Sequence, residues 1–131
     1  LEGNPALAIR APRQRRALPK VFSPRDIVQL LAPPAEATFA ALRDHAILEV
    51  LYSAGLRVSE LVALRLQDFR DDGTVLVHGK RSKQRIAVVG RVARTALDRY
   101  LELRARQLKE AGRTGDAVFV NRSGGIGPML P

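Results

Sequence analysis

RDHAILEVLYSAGLRVSELVALRLQDF, residues 43–69, is the stretch around which the chain is organised. Between Ala46 and Ala54 the apolar residues Ala46, Ile47, Leu48, Val50, Leu51 and Ala54 cover more than one helical face, as in a helix buried on most sides. The pattern predicts a central helix from about Thr38 to Ala54, with Leu51 in the core. Gly55 suits its C-terminal stop, because glycine adopts the left-handed conformation that ends many helices, and a second short helix, Val58 to Leu64, can begin almost at once. Arg57 then stands at a fixed corner. Its planar guanidinium stays charged and matches two phosphate oxygens together, and Glu60, three residues on, lies within reach to orient it. The same spacing also describes an ordinary surface ion pair of little energetic consequence. Spacing alone leaves both readings open.

Composition narrows the partner. The 131 residues are 46% hydrophobic, enough for one domain core, and a chain of this size buries roughly two-thirds of its unfolded surface. With 22 Lys+Arg against 13 Asp+Glu, the formal net charge is +9, a balance that favours polyanions through counterion release. Nucleic acid is the expected partner. No apolar run approaches the ~20 residues of a spanning helix and no signal-peptide pattern opens the chain, so a membrane is not expected. The absence of cysteine excludes disulfides and thiolate metal sites and points to a cytoplasmic protein. His45 and His78 make a poor metal set, and no metal site is expected.

Residues 1–20 hold Pro5, Pro12 and Pro19 among Arg10, Arg13, Arg15, Arg16 and Lys20, without apolar periodicity, and read as an extended basic linker. Arg15, Arg16 and Lys20 are candidates for phosphate contact; a solvated tail is the alternative. Ser23 then caps a helix whose first residue is Pro24, with Asp26 completing a capping box and Ile27, Leu30 and Leu31 facing inward. Pro33 and Pro34 end it. Beyond the Arg57 helix, Asp71-Asp72-Gly73 forms a turn, and Thr74 to His78 is a strand with Val75 and Val77 on one face. Ile86 to Val89 is its expected partner. The intervening GKRSKQR places Lys80, Arg81, Lys83 and Arg85 on a hairpin tip, suited to a nucleic-acid groove or simply to solubility. A long helix runs from Arg91 to about Ala111 on the stripe Val92, Ala93, Ala96, Leu97, Tyr100, Leu101 and Leu108. Tyr52 and Tyr100 both read as core aromatics, and Ala117 to Val120 as a short strand. The fold class is mixed α/β, mainly helical, with four helices and a small antiparallel sheet.

SAGLRVSELVALRLQD resembles the first active-site box of the tyrosine recombinases, the phage integrase family, whose pattern is close to "TGLRxSEL" followed by "L" and an acidic position. The match is best to the Xer-type members. VHGKRSKQRIAVVG resembles that family's hairpin pattern "GKGxKxRxVPL", departing at Arg81, where a second glycine is frequent, and at Val89, where proline is. The resemblance implies that Arg57 binds the scissile phosphate, that Glu60 supports it, and that Lys80 is the general acid. Arg81, Lys83 and Arg85 become candidate DNA contacts, and residues 1–20 resemble the link that joins an N-terminal clamping domain to the catalytic domain.

In such enzymes a tyrosine hydroxyl attacks the DNA phosphate to form a 3′-phosphotyrosyl link, arginines stabilise the oxyanion charge, and lysine protonates the departing 5′-oxygen. The covalent link conserves bond energy for rejoining, so no cofactor is implied. The partners implied are duplex DNA and further recombinase protomers, as a tetramer on DNA. Residues 21–131 correspond to the first half of the catalytic domain. The family's later "HxxR" box and nucleophilic tyrosine have no match here, so an incomplete active set, inert by itself, is expected. The competing expectation is a non-catalytic basic DNA-binding protein with a regulatory or architectural role.

Overall fold

Thr38 opens the central helix in the computed structural model, which describes residues 20–121. Its hydroxyl accepts the Ala41 N–H at 3.2 Å, satisfying one of the donors that every helix start leaves unpaired. This helix, α2 (Phe39–Ala54), ends at Gly55, whose φ of 61° and ψ of 40° lie in the left-handed region. The turn there requires glycine, since a Cβ would be strained. Ala46 and Val50, both 0% exposed, are the centre of the core. Leu51 is only half-buried and packs against that core from its edge, so the apolar run located the helix but not its innermost position. Tyr52 is a correction too: it is 64% exposed, having fallen on the open side of a helix whose apolar residues spread widely around its axis.

The preceding helix, α1 (Pro24–Leu30), has the expected cap: the Asp26 N–H donates to Ser23 Oγ at 3.2 Å, and the Ser23 N–H to Asp26 Oδ2 at 2.9 Å. It buries no residue; Ile27 is half-buried and Leu30 exposed, so its expected inward face is not formed among the described residues. Helix α3 (Val58–Val62) follows the corner and is shorter than the sequence suggested, giving way through Ala63 to a 3₁₀ turn at Leu66–Asp68. Strands β1 (Thr74–His78) and β2 (Gln84–Val88) form an antiparallel pair in the register Thr74 to Val88 and His78 to Gln84. Pairing starts two residues before the expected Ile86 because the tip closes in only five residues. Val75 and Val77 lie on the buried face, as the alternation required.

Helix α4 (Arg91–Glu110) packs along α2. Ala93, Ala96, Leu97, Tyr100 and Leu108 are buried; Val92, assigned to the same stripe, is 67% exposed at its first turn. Tyr100 stacks on Phe119 at 5.5 Å between centroids and meets Phe39 at 5.6 Å. Val118, Phe119 and Val120 are buried and Ala117 is half-buried, but residues 117–120 are not a strand: a single bridge joins Ala117 to Arg65. Beside two backbone bonds, from the Leu66 N–H to the Asp116 carbonyl and from the Val118 N–H to the Leu64 carbonyl, side chains take the other backbone groups that a sheet ladder would use. Tyr100 Oη donates to the Val118 carbonyl and accepts the Val120 N–H, while Arg104 donates to the Gly115 and Ala117 carbonyls and Arg43 to that of Val120.

No helix among the described residues is long and apolar enough to cross a membrane.

Candidate functional site: the Arg57 corner and the basic hairpin

Arg57 occupies the cap position of α3 with extended backbone, φ −75° and ψ 154°. Its own N–H donates to Glu60 Oε2 at 2.8 Å, and its guanidinium donates to Glu60 Oε1 at 3.2 Å. One carboxylate thus holds both the backbone and the side chain of the arginine. Glu60 is 4% exposed while the Arg57 side chain is 77% exposed, so a buried anion anchors a cation whose remaining donors face outward. Arg85, from β2, donates to Glu60 Oε2 at 3.0 Å and to the Gly55 carbonyl at 3.3 Å. The Arg57 N–H, foremost, together with the Arg85 and Arg57 guanidinium groups, holds the Glu60 carboxyl below the usual carboxylate range, against a desolvation that pushes it up. Glu60 is therefore an anion at neutral pH despite its burial.

The hairpin tip lies opposite. Residues Lys80–Ser82 make a single 3₁₀ turn, closed by the Gly79 N–H donating to the Lys83 carbonyl at 2.7 Å. Arg81 and Ser82 have φ of 60° and 58°, left-handed values that L side chains adopt at a cost. The glycine frequent at the first of these positions in the resembled pattern now has a physical meaning: the turn itself asks for it. At Gly79 any side chain would begin 3.2 Å from the Lys83 carbonyl oxygen, so the neck of the tip is as narrow as glycine allows. Between corner and tip lies a cleft of about 530 Å³, lined by Arg57, Glu60, Gly79, Lys80, Lys83 and Arg85. A smaller depression of about 250 Å³ shares Arg57, Glu60 and Lys80 and extends to Ser59 and His78. Several cations thus face one space across a single anchored carboxylate, an arrangement that can hold a phosphodiester.

The fold therefore brings Arg57, Glu60, Lys80, Lys83 and Arg85 together. Arg81 is exposed on the same tip. Lys20 borders a different depression, with Val21 and Phe22 beside α1. Arg15 and Arg16 fall outside the described residues. Sequence reading missed a second anchored carboxylate: Asp68, 5% exposed, accepts the Arg65 N–H at 2.9 Å and faces His78 Nε2 at 3.1 Å, and His78 Nδ1 in turn faces Gln84 at 3.3 Å. The signal was present, since Arg65 and Asp68 repeat the spacing of Arg57 and Glu60. This network braces the foot of the hairpin.

Neither tyrosine stands as a nucleophile in this cleft. Tyr100 spends its hydroxyl on two backbone groups in the core, and burial, the main cause, pushes its phenol up; Tyr52 does not line the cleft. Among the described residues no cluster of three His, Asp or Glu side chains could hold a metal ion.

Residues 20–127 match the model of the phage integrase family. The chain is 39% identical over 122 residues to tyrosine recombinase XerD of Listeria innocua, covering 92% of this chain and 41% of that protein. It is 44% identical over 122 residues to tyrosine recombinase XerC of Pseudomonas fluorescens, again over 92% of this chain and 40% of that protein. Among solved structures, the XerA recombinase superposes with a TM-score of 0.63 at 29% identity, covering 89% of this chain and 40% of that one. The chain spans about two-fifths of the length of the relatives it matches, and this two-fifths contains the anchored arginine and the basic hairpin. It belongs to the phage integrase family of tyrosine recombinases and is Xer-like within it.

Proposed function

We propose that this chain supplies the first half of the catalytic site of a site-specific DNA recombinase, which cuts and rejoins duplex DNA through a 3′-phosphotyrosyl intermediate. The observation that carries this reading is the pairing of an exposed guanidinium, anchored by a buried carboxylate, with a lysine-bearing hairpin across one cleft. In the proposed reaction the scissile phosphate enters the cleft and Arg57 donates to its non-bridging oxygens. As the tyrosine oxygen attacks, negative charge grows on those oxygens, and a preorganised fork is worth most at that moment. Glu60 does not touch the phosphate; it fixes the direction of the fork. The Lys80 ammonium gives its proton to the 5′-oxygen as the P–O bond breaks, so that a neutral hydroxyl departs. Rejoining is the reverse, with Lys80 taking that proton back.

The attacking tyrosine and the remaining phosphate-binding groups come, in this reading, from a part of the protein beyond the described residues. The isolated 131-residue chain then binds DNA but does not cleave it. Arg81, Lys83 and Lys20 add charge that tracks the backbone without reading bases, and other protomers complete the assembly on DNA.

A nicked suicide duplex, which traps covalent protein–DNA adducts, tests the proposal in a full-length recombinase carrying this segment. The parent accumulates adduct, whereas Arg57→Ala accumulates none at near-parental DNA affinity. Adduct formation by Arg57→Ala at the parental rate rejects the assignment. Stoichiometric DNA binding by the parent with no adduct at all favours the architectural reading instead.

A further inference from the structure

Arg85 lies on β2, yet its guanidinium turns back across the hairpin and ends on the corner that carries Arg57. One nitrogen reaches both Glu60 Oε2 at 3.0 Å and the carbonyl of Gly55 at 3.3 Å. Gly55 is the left-handed residue that stops α2, and Glu60 is the carboxylate that holds Arg57 by backbone and side chain. Arg85 therefore touches both ends of the stretch Gly55–Glu60 on which Arg57 sits. The hairpin also passes close to this carboxylate at Gly79, where a Cβ would lie 3.9 Å from Glu60 Oε1. Without Arg85, Glu60 keeps only local ties to its own turn. The Asp68–His78 contact would still brace the foot of the hairpin, but Glu60 would lose its direct tie to β2, and Lys80 its fixed relation to Arg57.

We propose that Arg85 is a positioning residue: acting through Glu60 and Gly55, it locks the basic hairpin onto the Arg57 corner, so that phosphate binder and proton donor meet the DNA as one preorganised unit. This rests on the recombinase reading above. It moves Arg85 from the set of DNA contacts, where its charge and place on the hairpin had put it, to the frame of the site. An arginine suits this place because its long planar head carries several N–H donors and can serve a carboxylate and a carbonyl together.

Single-turnover cleavage by a full-length recombinase carrying this segment, at saturating DNA, tests the idea with Arg85→Gln, Arg85→Lys, Glu60→Gln and the double variant Arg85→Gln/Glu60→Gln. Arg85→Gln is expected to slow cleavage on the order of 10- to 100-fold, the scale of a loss of alignment, while DNA affinity and its salt slope stay near parental. A backbone contact would instead flatten that slope by about 0.9. In the Glu60→Gln background the same change should cost much less than in the parent, because the carboxylate leg of the path is gone and only the Gly55 contact remains.

The pH profile separates positioning from general destabilisation. Losing Arg85 removes a donor and a positive charge from Glu60, so the acid limb of cleavage moves to higher pH in Arg85→Gln. The limb moves less in Arg85→Lys, which keeps the charge and serves as the measured variant should Arg85→Gln melt below the assay temperature. A purely structural loss lowers the rate at all pH values alike. Parental cleavage by Arg85→Gln, a cost that adds fully to that of Glu60→Gln, or a flattened salt slope overturns the proposal. An Arg57→Ala control that still cleaves condemns the recombinase reading itself, whereas an inactive control beside a parental Arg85→Gln condemns only the role of Arg85.

Discussion

Tyr100→Phe removes a single oxygen, and the structure gives that oxygen a large task. The ring is 0% exposed, and its hydroxyl donates to the Val118 carbonyl at 3.1 Å and accepts the Val120 N–H at 3.2 Å. Val118 and Val120 are 0% and 1% exposed, so water has no easy route to replace the hydroxyl. Each buried backbone group left unpaired costs about 1–3 kcal/mol. Phenylalanine keeps the stacking on Phe119 and the tilted contact with Phe39, so little is lost from packing. The net effect is a destabilisation of about 2–4 kcal/mol, at the low end if residues 117–120 shift to re-pair. With a urea m-value of about 1.5 kcal/mol/M, the midpoint falls by on the order of 2 M. Tyr52→Phe, at a 64% exposed position, is the control, and surface changes of this kind stay within about 0.5 kcal/mol. Equal urea midpoints for Tyr100→Phe and the parent would refute the claim that the Tyr100 hydroxyl holds the backbone of Val118 and Val120 in place.

Leu97→Ala, at a 2% exposed position on α4, costs about 2–5 kcal/mol as a cavity in a packed core; the half-buried Leu51→Ala costs clearly less in the same urea melts. Arg81→Gly relieves a left-handed φ of 60° and stabilises the chain by about 1 kcal/mol, read as a raised melting midpoint with salt-dependent DNA binding weakened only by the lost charge. Glu60 has a folded pKa below its unfolded one, so its contribution is complete above the unfolded value of about 4.3 and is lost as pH falls through the folded value. Glu60→Gln should therefore flatten the acid arm of a stability–pH curve below about pH 4.3, and an unchanged arm would count against the anchored carboxylate.

How much of this was legible beforehand depended on whether a residue's role was local. The capping box at Ser23 and Asp26, the left-handed stop at Gly55, the Arg57–Glu60 pair and the alternation of Val75 and Val77 each follow from spacing within a few residues, and each formed. The readings that failed needed knowledge of what lies opposite. Tyr52 and Tyr100 look alike in sequence, yet only the one facing residues 118–120 is buried. Ala117 to Val120 announced burial through its apolar run, but nothing local revealed that Tyr100, Arg104 and Arg43 would take the ladder's place. Arg85 looked like one more basic residue on a tip because its partner is 25 residues away. The buried Arg43, Glu49 and Arg104 escaped notice for the same reason.

The central claim is that Arg57 stabilises phosphate charge while Lys80 delivers a proton, and a duplex with sulfur in place of the bridging 5′-oxygen separates the two most directly. Sulfur departs with scarcely any need for protonation. In a full-length recombinase carrying this segment, Arg57→Lys keeps the charge but loses the bidentate fork, and Lys80→Ala loses the proton. The account predicts that the sulfur duplex restores cleavage by Lys80→Ala to near the parental rate and leaves Arg57→Lys impaired by orders of magnitude. Rescue of both variants, or of neither, would contradict it.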